Sequence, residues 1–127
     1  MMTKGMYSSM RSDWHTPANI LKQLHDEFGV LFDVSDRHNG TFDALTMNWP
    51  QPWYCNPPYG REIGKWTSRM KGNGVALLPA RTDTIWFHKD ILPFAAQIRF
   101  VKGRIHFDNL GPAPFPSMIV VFGFGEL

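Results

Sequence analysis

The sequence predicts an α/β fold with a mostly parallel sheet, covered on both faces and closed by an antiparallel C-terminal edge. Three observations carry that prediction. Short apolar runs of strand length alternate with segments whose apolar residues recur at helical spacing, the pattern of crossover units. The last two apolar runs, Ile98 to Val101 and Met118 to Phe124, are joined through a Pro-rich loop with no helix between them. No repeat, linker or low-complexity tract divides the chain, and 127 residues suit one domain with a single core. Residues 1–12, with methionines at 1, 2, 6 and 10, read as a flexible N-terminus, and residues 13–127 as the domain.

The elements follow in order. Thr16 can cap a helix and Pro17 suits its first turn; Ile20, Leu21, Leu24 and Phe28 then repeat at helical spacing, and Gly29 sits where a C-terminal cap belongs. Val30 to Val34 is an apolar run ending in acids, read as a buried strand. Residues 35–52 are rich in loop formers, with brief structure around Thr41 to Leu45. Trp53 to Cys55 is a short strand. Glu62 to Met70 reads as a second helix burying Ile63, Trp66 and Met70. Gly72-Asn73-Gly74 turns the chain into a buried strand at Val75 to Leu78. Thr82 or Asp83 can cap a third helix running to about Leu92, where Pro93 stops it.

Composition narrows the class. With 43% apolar and 14% aromatic residues the chain is globular rather than disordered. A net charge of +2 permits an anionic partner without requiring one. The lone Cys55 offers no disulfide framework, and Met1 to Arg11 lacks the apolar segment of a signal peptide. The longest apolar run, Met118 to Phe122, is too short to span a bilayer. A soluble cytoplasmic protein is the expectation. The five histidines stand at no zinc-ligand spacing with Cys55, so no metal is expected. Trp49, Trp53, Trp66 and Trp86 read as core, and Trp14 as a pocket border.

One segment points to chemistry. Asn56-Pro57-Pro58-Tyr59 directly follows the strand Trp53-Tyr54-Cys55. Two prolines remove two backbone donors and fix two φ angles, and Asn56, preceding a proline, is driven away from helix. The result is a stiff loop offering a side-chain amide, carbonyls with no local N–H to claim them, and an exposed aromatic face. Such a loop suits a planar group bearing an amine. An exocyclic base nitrogen is a poor nucleophile because its lone pair is delocalised into the ring. The Asn56 oxygen and the Pro57 carbonyl, set tetrahedrally, would draw it toward sp³ geometry, so that positioning and electrostatics carry the reaction. A base inside a duplex must first be flipped out, and Tyr59 is expected to stack on it, worth roughly 1–3 kcal/mol.

Asn-Pro-Pro-Tyr after a strand resembles the catalytic motif of S-adenosylmethionine-dependent amino-methyltransferases. More of the chain resembles the compact phage DNA N-6-adenine methyltransferases (Dam-like). The matching segments are Trp14-His15-Thr16-Pro17, Phe32-Asp33-Val34-Ser35-Asp36, the residues from Trp53 to Gly60, Leu78 to Phe87, and Gly103-Arg104-Ile105-His106-Phe107. They stand in one order over roughly residues 13 to 124. The resemblance implies a reduced class I (Rossmann-like) methyltransferase fold, S-adenosylmethionine as cofactor, double-stranded DNA as partner, and a phage or prophage origin. In that reading Asn56, Pro57, Pro58 and Tyr59 are catalytic.

Ligands of open α/β sheets bind beyond the carboxyl ends of the strands. Asp33 and Asp36 end one strand and Asn56 its presumed neighbour, so all three should face one crevice. The resemblance places Asp33 or Asp36 near the cofactor, with Thr16 and Pro17 at its methionine end and Trp14 beside them. Asp43 resembles an acid that touches adenosine, and Asp36 and Asp43 are both open for the ribose. No glycine-rich loop follows the first strand; Ser35-Asp36-Arg37-His38 stands there instead. For DNA phosphates the candidates are Arg61, Lys65 and Arg69, spaced by four on one helix face and extended by Lys71, with Arg81 and Arg104 on the reaction side. The loop alone also fits a glutamine amide or an RNA base, and the short chain, lacking an evident target-recognition domain, also fits a non-catalytic DNA-binding module.

Overall fold

The computed structural model describes residues 14–36, 38–107 and 111–125. The expected N-terminal tail, residues 1–12, lies outside them. Helix α1, Ala18–Phe28, begins directly after Pro17 and stops where Gly29, at φ 87°, donates its N–H to the His25 carbonyl at 2.9 Å. Glycine tolerates that left-handed turn without steric cost.

Five strands form the main sheet in the order β1 (Phe32–Asp33), β2 (Trp53–Cys55), β3 (Gly74–Pro79), β7 (Ser117–Phe122) and β4 (Gln97–Phe100). β1, β2 and β3 pair in parallel, whereas β7 runs against both β3 and β4. This corrects the expected sheet in one respect. Parallel pairing covers five residue pairs and antiparallel pairing ten, so the sheet is mixed rather than mostly parallel. The last two strands of the sheet do form an antiparallel edge, with β7 inserted between β3 and β4 and β4 at the border. Apolar runs of similar length signal burial but not direction, which is why the sequence left this open.

β2 and β3 are buried at every position, as strands covered on both faces must be. Trp53 is fully buried, donates its indole N–H to the Lys71 carbonyl at 2.7 Å, and packs its ring 5.1 Å from Trp49 and 5.5 Å from Phe122. Its register partner is Gly74, where a Cβ would fall 2.0 Å from the indole. A glycine is obligatory there because the large ring occupies the volume a side chain would need.

The remaining elements are shorter than the sequence implies. The buried strand expected over residues 30–34 reduces to Phe32–Asp33, and Val30 is 85% exposed. The second helix, α2, is Ile63–Thr67 alone; beyond it the N–H groups of Arg69 and Met70 reach back only three residues, to Trp66 and Thr67, so the chain tightens into turns. The third helix is a π-type turn at Phe87–Ile91, in which Leu92 donates to the Phe87 carbonyl at 2.8 Å. Its entry is held by Thr84, whose hydroxyl accepts the Phe87 N–H at 3.3 Å, and not by Thr82 or Asp83. Thr67 ties α2 to this turn by donating to buried Asp90 at 2.7 Å. A small antiparallel pair, β5 (His106–Phe107) with β6 (Gly111–Pro112), occupies what reads as a Pro-rich loop. Among the described residues no helix is long and apolar enough to cross a membrane.

Candidate active site

Because β1, β2 and β3 are parallel, their carboxyl ends share one rim of the sheet, which sets Asp33, Asn56 and the chain leading to Arg81 side by side. Asp33 closes β1. Its Oδ1 accepts the Ser35 N–H at 2.9 Å and the Ser35 hydroxyl. Ser35 Oγ also accepts the Asn56 N–H at 3.2 Å, so one serine joins the acid of β1 to the loop after β2.

Burial raises the pKa of Asp33 above its ordinary 3.8, against the lowering effect of the Ser35 bonds. A carboxyl whose folded pKa exceeds the unfolded one lets the folded state hold the extra proton, so stability falls as pH rises through the window above about 4. Asp33→Asn should therefore melt higher than the parent at pH 7, with the gain disappearing near pH 3, as thermal unfolding followed by circular dichroism at several pH values would show. The asparagine oxygen still accepts from Ser35, so the fold is kept.

Asn56 is 8% exposed and held at both ends of its amide. Nδ2 donates to the Trp14 carbonyl and, at 3.0 Å, to Thr16 Oγ1. The carbonyl can only accept, which identifies the nitrogen end. Oδ1 accepts the Tyr59 hydroxyl at 2.8 Å, and the same phenol proton is shared with the Leu77 carbonyl at 3.0 Å. Pro57 is buried and Pro58 half-buried.

The expected exposed face of Tyr59 is corrected. The ring is 4% exposed and lies 5.4 Å from Phe115, with its hydroxyl turned into the network around Asn56. The stiff loop points the aromatic inward because Phe115 and the end of β3 offer it an apolar seat. Thr16 is likewise corrected as a helix cap: α1 has no side-chain cap, and the Thr16 hydroxyl instead lies 2.8 Å from the Tyr54 hydroxyl.

Two adjoining cavities flank this network. One, of about 530 Å³, is lined by Trp14, His15, Thr16, Leu21, Asp33, Ser35, Asp36, Asn56 and Pro58. The other, of about 670 Å³, is lined by Ser35, Asp36, Asn39, Gly40, Phe42, Asp43, Ala44 and Trp66. Ser35 and Asp36 belong to both. The first gathers Trp14, Thr16, Asp33, Asp36, Asn56 and Pro58, six of the expected residues, from three separate stretches of chain. Pro17 is buried and does not line this cavity. Asp43 faces the second cavity, with one carboxylate oxygen holding its own turn through the Leu45 N–H at 3.0 Å. Carboxylates with hydroxyl and amide groups suit a ligand bearing a positive centre and hydroxyls, so the lining fits a sulfonium nucleoside. Both volumes lie in the range of small-molecule sites.

The basic residues do not form one face. α2 is too short to include Arg61 or Arg69. Lys65 pairs with Glu62 at 2.5 Å, Arg69 donates to the Met47 carbonyl at 2.7 Å, and Lys71 sits 4.3 Å over the Phe94 ring. Arg61 and Arg104 are exposed. Arg81 is exposed as well, and its guanidinium lies 5.8 Å from the Phe115 ring that also packs on Tyr59.

Three residues of the site are absent from the sequence expectations. Ser35 left a readable trace, since a serine two residues after an aspartate commonly folds back on it. Tyr54 left none, because in a strand buried on both faces alternation does not separate site from core. Phe115, in the Pro-rich stretch, is recognisable only through its partners Trp14, Tyr59 and Arg81.

The model of one protein family, described as DNA N-6-adenine-methyltransferase (Dam), matches residues 4–114. No curated protein and no solved structure matches the chain.

Proposed function

Since the chain belongs to the DNA N-6-adenine-methyltransferase (Dam) family, we propose that it methylates the N6 amine of an adenine flipped from double-stranded DNA, with S-adenosylmethionine as donor. The observation that carries the reading is the Asn56 amide, clamped at the carboxyl rim of the sheet on the wall of a cavity that also presents Asp33, Asp36 and Thr16. We read the sheet, with its inserted reversed strand, as a reduced class I methyltransferase arrangement.

S-adenosylmethionine supplies an activated methyl group. Asp33, Asp36 and Thr16 would hold it, with Trp14 and Pro17 shaping that end of the cavity. Asp36, on the wall common to both cavities, is the better ribose ligand than Asp43, which is partly spent on its own turn. Losing a charged acceptor at Asp33 costs roughly 1.5–3 kcal/mol of binding, so Asp33→Asn should bind the cofactor about ten- to a hundredfold more weakly.

Asn56 Oδ1 retains a second lone pair beside the Tyr59 bond and can accept from the substrate amine, as can the Pro57 carbonyl. Both acceptors draw electron density toward the nitrogen and stabilise the positive charge it gains. Pro58 keeps the loop rigid, and Tyr59 serves by orienting Asn56. Arg81, beside Phe115, and Arg61, two residues after Tyr59, are the first choices for phosphate contacts; Arg104 lies outside the interactions that tie the other candidates, while Lys65 and Arg69 are engaged by Glu62 and Met47.

Transfer of labelled methyl from S-adenosylmethionine to duplex DNA, with Asn56→Ala as control, tests the proposal. N6-methyladenine formed by the parent and not by the variant supports it. No such product on any DNA, adenine-rich phage DNA included, overturns it. A second reading, a non-catalytic DNA-binding module, is favoured by the inward-turned Tyr59 and the slight exposure of Asn56; it predicts DNA binding with no methyl transfer.

A further inference from the structure

We propose that Tyr54 is a positioning residue for Asn56, acting through Thr16 to hold the amide with its nitrogen on Thr16 and the Trp14 carbonyl, so that its oxygen is the end offered to the reacting amine. The proposal rests on the methyl-transfer reading above.

Burial fixes the direction of the protons. Tyr54 is completely buried, and among the described residues its hydroxyl makes one hydrogen bond, the 2.8 Å contact to Thr16 Oγ1. A buried O–H left without an acceptor is costly, so Tyr54 donates and Thr16 accepts. Asn56 Nδ2 donates to the same Thr16 oxygen at 3.0 Å. A hydroxyl oxygen has two acceptor positions and one proton. With both acceptor positions taken, the Thr16 proton turns toward the cavity that Thr16 lines. The phenol stays protonated, since burial holds it well above the ordinary tyrosine range.

An asparagine amide has two orientations of nearly equal shape, and only one serves the chemistry. In the other, an N–H would meet the substrate amine and Oδ1 would face the Trp14 carbonyl. Tyr54 occupies one of the three settings of the Thr16 hydroxyl rotor and anchors Thr16 itself. Without that proton, the rotor can turn its own O–H onto the Asn56 side chain and draw the oxygen to the Thr16 side. On the opposite side, the Tyr59 O–H marks the oxygen end. The amide is thus read by acceptors at its nitrogen and by a donor at its oxygen.

The test uses the full chain with Tyr54→Phe, Thr16→Val, Thr16→Ser and the double variant Tyr54→Phe/Thr16→Val. The relay requires Tyr54→Phe to lower kcat about tenfold while KM for S-adenosylmethionine stays within about twofold. The double variant should lose no more than Thr16→Val alone, since two members of one relay are not additive. Thr16→Ser, which keeps the hydroxyl, should leave the Asn56 side-chain NH₂ resonances where they stand in the parent. Separately, the Asn56 side-chain NH₂ resonances should shift in Tyr54→Phe by nitrogen-15 NMR. Unchanged kcat, or losses that add in the double variant, would overturn the proposal. If the parent transfers no methyl group, the resonance shift alone decides: a shift upholds the relay while the proposed function falls, and its absence overturns both. Should Tyr54→Phe not fold, the Asn56 side-chain NH₂ resonances are read in Thr16→Val instead, where a shift upholds the relay and its absence overturns it.

Discussion

Asn56→Ala is expected to lower the rate of methyl transfer by about a thousandfold or more while leaving a folded protein that still binds S-adenosylmethionine. The expectation comes from what the amide does. Removing one preorganised polar group aimed at charge developing in the transition state typically costs about 10²–10³ in kcat. Here the same side chain also orients the loop, so the loss should reach the upper end. The fold survives because each partner has somewhere to turn. The Tyr59 proton passes wholly to the Leu77 carbonyl, already 3.0 Å away, and the Thr16 hydroxyl keeps Tyr54. The stability penalty is then about 1–3 kcal/mol, the cost of leaving the Trp14 carbonyl less satisfied. Single-turnover kinetics with calorimetric cofactor binding would separate the two effects. Equal losses in rate and cofactor affinity would show that Asn56 holds the cofactor rather than the amine.

The largest effect on stability belongs to Trp53. Truncation to alanine removes a wholly buried indole that touches Trp49, Phe122 and the face of Gly74, and it frees the Lys71 carbonyl. Large aromatic-to-alanine changes in cores cost about 3–5 kcal/mol. Against a total of about 5–15 kcal/mol for a domain of this kind, Trp53→Ala should be largely unfolded at 37 °C, or should lose a third or more of its urea midpoint. A midpoint within a tenth of the parent's would mean that the site collapses over the gap.

Much of this was legible in the residues themselves. Trp53-Tyr54-Cys55 is the observed strand β2, residue for residue, because a short apolar run before two prolines has few other conformations. Helix α1 and its glycine stop follow from spacing and φ alone. Asp33, Asp36 and Asn56 could be gathered in advance because strand ends of a sheet are where ligand-facing groups collect, whereas Thr16 and its neighbour Trp14 were placed by the resemblance. Direction and depth were not legible. Whether β7 lies inside or at the border depends on pairing between Val75 and Val121, which no local pattern encodes. Tyr59 reads as exposed from a proline loop, yet its orientation is decided by Phe115, far along the chain. The helical basic face failed for a related reason: four-residue spacing describes a helix only where a helix persists, and α2 ends at Thr67.

The insertion of β7 between β3 and β4 has a consequence for how the protein is made. During synthesis, β3 emerges from the ribosome well before the strand that will shield its second side, and β4 has no neighbour other than that late arrival. Until residue 122 is free, an apolar strand stands with one row of backbone groups unpaired, the condition in which chains stick to one another. Slow translation across the C-terminal third, or a stop codon just before residue 117, should therefore send this protein to aggregates or chaperones rather than to a shortened native form.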